Sequence, residues 1–167
     1  AQIAVQSALT GHMVISTLHT NDASSTVNRL LDMGVEDYLL TSTVNGILAQ
    51  RLVRSLCKAC REPYEPLPEV VQEFDLKRFA GDSPIVLYRP VGCESCGGTG
   101  YTGRLGIMEM LPMTDTIRSL IMRHAVSGEI RRQAIEEGMQ TLYEDGLRKV
   151  IAGVITLDEV LRVTRED

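Results

Sequence analysis

The sequence predicts an α/β fold, interrupted by a tetracysteine zinc subdomain and closed by a C-terminal helical region. Three observations predict it. An apolar run, His12–Leu18, lies between two helix-like stretches. All four cysteines fall in two Cys-x-x-Cys pairs, Cys57/Cys60 and Cys93/Cys96. The residues after Leu111 read as successive helices punctuated by glycine.

The first residues, AQIAVQSALT, read as the end of a helix stopped by Gly11. His12–Leu18 is apolar on both faces, the pattern of a central strand in a parallel sheet covered on both sides. The polar residues His19, Thr20, Asn21 and Asp22 follow at its carboxyl end, the edge where open α/β sheets bind ligands. Asp22 is an N-cap for a helix to Met33, with Gly34 as its stop. A second helix is expected from Asp37 to Leu52, with Leu40, Val44, Ile47 and Leu48 as its apolar stripe.

The composition shifts at Cys57. Pro63, Pro66 and Pro68 break regular structure, Glu69–Phe79 reads as a short helix and Pro84–Tyr88 as a short strand. Glycines 97, 98, 100 and 103 follow the second cysteine pair, and such turns bring backbone N–H groups close to sulfur. Arg104–Leu111 is then a strand returning to the main sheet. Helices follow over Thr114–Arg123 and Ser127–Glu137, the latter ended by Gly138. Thr141-Leu-Tyr-Glu144 and Thr156-Leu-Asp-Glu159 are capping-box patterns, each opening a further helix. The expected division is 1–56, 57–102 and 103–167, with the zinc unit a removable knob that makes contacts and does no catalysis.

Two Cys-x-x-Cys pairs supply four thiolates, the ligand set of a structural zinc site with no open position. Two disulfides or four free thiols are the alternatives, and disulfides suit secreted chains. No leader is recognised, and the chain opens on Ala rather than Met in helix-like sequence, which suggests a fragment. No run of about 18 apolar residues exists, so no transmembrane helix is expected. A net charge of -5 and the absence of Trp argue against a nucleic-acid partner.

His12 and His19 stand roughly 23 Å apart on an extended strand at about 3.3 Å per residue, and on opposite faces. They are therefore not a metal pair. Each is either a hydrogen-bonded structural residue or a functional one; His19, at the ligand edge, is the better functional candidate, with Thr20 and Asn21 beside it. Arg51, Arg54, Lys58 and Arg61 form a basic cluster. That is a solvated face, a subunit contact or a set of phosphate contacts, and Arg51 and Arg54 are the candidates for the last. The acidic residues of the insertion, Glu62 to Asp82, read as a solvated surface. Gly98–Leu105 mimics a phosphate loop but lacks its Lys and its Ser/Thr.

Thr10–Asp22 (TGHMVISTLHTND) resembles the histidine box of the secretion ATPases, the hexameric motors of type II secretion and type IV pilus assembly. Arg29–Gly34, Ala49–Arg54, Tyr101–Glu109, the tetracysteine insertion and Thr156–Thr164 are similar to the same family, so the resemblance spans essentially the whole chain. It implies the distal half of a RecA-like P-loop ATPase domain, beginning after the expected Walker B position. It raises His12 and His19 to catalytic candidates that couple the phosphate state to domain motion. It also implies ATP and Mg²⁺ as cofactors of the parent, a homo-hexamer, and a cytoplasmic location at inner-membrane platform proteins. The fragment alone, lacking the phosphate loop, is expected not to hydrolyse ATP. A zinc-binding interaction module is the remote alternative, since Cys93–Gly100 also resembles one cysteine repeat of the Hsp40 co-chaperones; that reading leaves the histidine box and the tail unexplained.

Overall fold

The computed structural model describes residues 1–164. Its elements run α1 (Gln2–Leu9), α2 (Ala23–Asp32), α3 (Asp37–Thr43), β1 (Gly46–Leu56), β2 (Glu62–Tyr64), α4 (Pro68–Glu73), α5 (Leu76–Ala80), β3 (Leu87–Arg89), a 3-10 turn (Glu94–Cys96), β4 (Tyr101–Pro112), α6 (Asp115–Met122), α7 (Ser127–Glu136), α8 (Leu142–Ile151) and α9 (Leu157–Thr164). The expected third segment, 103–167, ends outside the described residues.

Where caps and stops are local, helices form as expected. The Asp22 carboxylate accepts from Ser25 N at 2.7 Å and starts α2. At the other end Gly34, at φ 79°, donates to Leu31 O, and Val35 donates to Leu30 O. This double closure needs the left-handed backbone that glycine adopts without strain. Gly138 ends α7 in the same way, through Ile135 O and Ala134 O.

The strand expected over 12–18 and the helix expected over 37–52 do not form, and the helix expected over Glu69–Phe79 is split into α4 and α5 at Asp75, whose φ is 47°. Residues 12–18 form no strand among the described residues. The segment lies outside helix and sheet, with Met13 and Ile15 each 88% exposed. A strand apolar on both faces needs neighbours on both faces, and the described residues place none there. The helix expected over Asp37–Leu52 ends at Thr43, and β1 starts three residues later. The β-branched Thr41, Thr43 and Val44 and then Gly46 weaken the helix at that point. Ile47 and Val53 are buried while Leu48 and Leu52 are exposed, so the apolar stripe read at helical spacing resolves into the alternation of a strand.

The returning strand is β4, and its partner is β1. Met113 N donates to Asn45 O at one end of the pair and Cys57 N to Gly100 O at the other, so the two run antiparallel. The insertion leaves from one and re-enters on the other. β2 and β3 form a second antiparallel pair inside it, with Pro63 opposite Tyr88.

The chain divides into two compact units, 1–49 with 109–141, and 50–108 with 142–167, which differs from the expected three segments. The core of the first is built from Ala23, Val27, Leu40, Ile47, Leu111, Ile117, Ile121 and Ile130. In the second, Val53, Leu76, Leu87, Ile107, Leu147, Val150, Ile155 and Val160 are buried. There α5 and β3 pack against α8, and α8 against α9. The insertion thus shares the core of its unit with the C-terminal helices, which is not the arrangement of a free-standing knob.

Candidate functional site

The two cysteine pairs are built on equivalent turns. Cys60 N donates to Cys57 O at 3.3 Å, and Cys96 N to Cys93 O at 3.2 Å. Each turn presents two sulfurs to the same side. Sγ of Cys57 lies 3.9 Å from that of Cys93, Cys60 3.8 Å from Cys96, and Cys93 3.8 Å from Cys96. All four lie within 4.8 Å of one another. A sulfur tetrahedron about 2.3 Å from a central zinc has edges of about 3.8 Å, so the spacing fits that ion.

Backbone donors serve the sulfurs. Cys93 N and Gly100 N reach Cys96 Sγ at 3.2 and 3.1 Å. Burial pushes the Cys96 thiol up, but those two amides, with the Cys93 and Cys60 side chains, more than offset it and hold it down at about 6. The Thr102 hydroxyl, with the Ala59 amide, lowers Cys57. Burial raises Cys60 to about 11. Gly100 is required by closeness as well as by its φ of 76°: a Cβ there would run into Pro90.

The other candidate residues are dispersed. His12 is exposed, with Nδ1 3.0 Å from Thr10 Oγ1. His19 is exposed too, and Thr20 Oγ1 lies 2.7 Å from Thr26 Oγ1. These lie in the first unit, with Asn21. The amino end of α2 is already served by carboxylates: Asp22 takes Ser25 N, and Glu109 Oε1 takes Ala23 N at 2.7 Å. With these two amides engaged, an anion at this edge would also meet the side chains of residues 19–21.

Arg51 and Arg54 lie in the second unit. Arg54 is occupied. Its Nε and Nη2 donate to Glu159 Oε1 at 3.0 and 2.8 Å, its backbone N donates to Glu159 Oε2 at 2.7 Å, and its guanidinium lies 4.1 Å from the centre of the Tyr101 ring. Arg162 donates to the same carboxylate from Nε and Nη2. Arg61, of the same predicted cluster, bonds Gly153 O and lies over the Tyr88 ring. Arg54 is thus tied to α9 and Arg61 to the turn after α8.

The family of type II/IV secretion system proteins matches residues 1–162. The chain belongs to this family. It is 57% identical over 99% of its length to type II secretion system protein E of Xanthomonas campestris pv. campestris, covering 29% of that protein. It is 45% identical over its full length to the type IV pilus assembly ATPase PilB of Myxococcus xanthus, covering 30% of that one. The chain therefore spans about three-tenths of the length of these relatives. A crystal structure of the pilus retraction motor PilT with bound ADP superposes with a TM-score of 0.61 at 22% identity, over 99% of this chain and 36% of that one. That likeness is one of fold.

Within this secretion-family chain, sequence reasoning missed Glu109 and Arg162 and misread Glu159. Thr156 Oγ1 does cap Glu159 N at 3.3 Å, but the Glu159 carboxylate turns to the two arginines instead of back to the cap. Glu109 stood inside an apolar strand, 86 positions from its partner. A lone acid in such a strand was the available signal. No helix among the described residues is long and apolar enough to cross a membrane.

Proposed function

We propose that the chain is the C-terminal part of a hexameric cytoplasmic ATPase that powers type II protein secretion at the inner membrane. What carries the reading is the 57% identity to a type II secretion system protein E over nearly the whole chain. The lower 45% identity to a pilus assembly ATPase makes pilus assembly the second reading. ATP and Mg²⁺ serve the parent through segments upstream of this chain. The zinc subdomain, 57–102, holds one structural zinc ion through Cys57, Cys60, Cys93 and Cys96, and the sulfur spacing supports it. The metal supplies a fixed junction; the chain's amides at Cys93 and Gly100 hold the Cys96 sulfur toward it.

His19, with Thr20 and Asn21, works at the nucleotide edge, where a neutral imidazole donates to a phosphate oxygen or holds a water. His12 is the second catalytic candidate. Arg51 and Arg54 remain weaker candidates for nucleotide contact, Arg54 because Glu159 engages it. The test is made in the full-length protein. His19→Ala should lower kcat about tenfold or more while nucleotide affinity changes little, the pattern of a group acting in the transition state or the coupled motion. A change in affinity alone would refute the role. Metal analysis of fresh, reduced protein should give one zinc per chain, and a value near zero would refute the metal assignment. The isolated chain should show no ATP turnover.

A further inference from the structure

The first unit contains one buried acid that the proposed function does not use. Glu109 is 3% exposed, on a strand whose neighbours Ile107 and Leu111 are fully buried. Its carboxylate meets Ala23 N, the first amide of α2. That amide is one of the donors an α-helix leaves unpaired, and it immediately follows His19–Asp22. The first turn of α2 is itself packed away, with Ala23 at 0%, Ser24 at 1% and Val27 at 0% exposure. A charged group is kept in such a place only where it is hydrogen-bonded. Its bond spans β4 and the end of the polar run.

We propose that Glu109 is a positioning residue for His19–Asp22, fixing where the run ends relative to β4. The bond is short, at 2.7 Å, and joins a buried carboxylate to the first amide of the helix, so it fixes their separation. Asp22 alone does not do this. Its carboxylate bonds Ser25 N, three residues on, and closes only a local turn. Glu109 is what ties that turn to the sheet. His19 and Asn21 are exposed, so where their side chains reach depends on where the run ends. The inference rests on the reading of residues 19–21 as nucleotide-side groups.

The test uses two variants, one that weakens the bond at its acceptor and one that removes its donor. Glu109→Gln keeps an oxygen acceptor and removes the charge. Ala23→Pro removes the donor at the first helical position, where proline is tolerated, and Asp22 already has the extended backbone that a following proline demands (φ -142°, ψ 173°). In the 167-residue chain, amide and imidazole NMR resonances of residues 19–22 should move in both variants, while those of the cysteine pairs stay in place. In the full-length protein, Glu109→Gln should lower kcat about tenfold with KM within about twofold, and Glu109→Asp should recover part of the loss. Unmoved resonances at 19–22 in either folded variant would overturn the proposal. So would unchanged turnover in Glu109→Gln when His19→Ala is impaired. If His19→Ala is itself silent, the assigned role of the run fails, and the resonances alone then decide whether Glu109 positions it.

Discussion

Glu159 shows how a single buried carboxylate organises residues distant in sequence. Its side chain is 2% exposed, and Arg54, 105 positions away, and Arg162, one turn along α9, both donate to it. Hydrogen bonds from Arg162 lead, burial opposes them, and Arg54 adds to them; together they hold the carboxyl at about 2, below its ordinary 4.5. A folded-state value below the unfolded one stabilises the protein in full above about 4.5, and that contribution fades as pH falls toward 2. A shift of this size corresponds to on the order of 3 kcal/mol. Glu159→Gln should therefore lower urea-unfolding stability at neutral pH, and the gap to the unmodified chain should close in acid. Measuring the difference between the two chains cancels the acid sensitivity of the cysteine site. A gap independent of pH would show that the carboxylate gives no net charge stabilisation. Only half of this arrangement was legible in the sequence. Thr156 and Glu159 announce a capping box, and Thr156 obeys, but no spacing rule reports that Arg54 comes to stand beside α9.

At the scale of elements, what was legible was what is encoded within a few residues. The cap at Asp22 and the stops at Gly34 and Gly138 are complete in local sequence, and the helices they bound appear. Residues 37–52 were not legible, because Leu40, Val44, Ile47 and Leu48 fit a helical stripe while burial across the β1–β4 pair decides for a strand. The same limit holds for 12–18, whose apolar faces state a need for neighbours without naming them. The contact of α8 with α9 gives an element-scale prediction. A Cβ on Gly146 would lie 2.7 and 2.9 Å from the two γ-carbons of Val160, which is fully buried. Alanine gains about 1 kcal/mol of helix propensity over glycine, and overpacking a tight core costs about 1–3 kcal/mol. The second term should win, because a β-branched side chain has few rotamers to yield into. Gly146→Ala should destabilise by about 1 kcal/mol, and the sign should reverse in a Val160→Ala background. Urea midpoints of the four chains measure both numbers.

For the whole molecule, the question is what the cysteine site holds together. Read from sequence, the insertion is a knob on a neck, removable without harm to the rest. Its pieces are too short to stand alone: α4 and α5 have six and five residues, and β2 and β3 three each. They are held by the four sulfurs at one end and by α8 at the other. Leu76 and Leu87 are buried, and Arg78 pairs with Glu144 at 2.7 Å. Tyr88 packs so closely on Gly153 that a Cβ there would lie 2.6 Å from its ring. Replacing Lys58–Glu94 with a Gly-Ser linker, with Cys57 and Cys96 changed to Ser, should therefore cost more than the knob. It uncovers one side of α8, and the second unit should lose its cooperative transition while the first keeps its own. Removing metal with a strong chelator asks the same question without cutting the chain. Metal-binding energy at such a site is local folding energy, so chelation should release the insertion first. Because α8 packs on α5 and β3, its amides should then exchange faster, whereas those of α6 and α7, whose buried residues belong to the other core, should not. Hydrogen exchange resolved by segment distinguishes the outcomes. Protection lost only over 57–102 would mean that the metal merely pins the knuckles and that the knob is separable after all. Protection lost together over the insertion, α8 and α9 would make the four cysteines the closing staple of one folding unit.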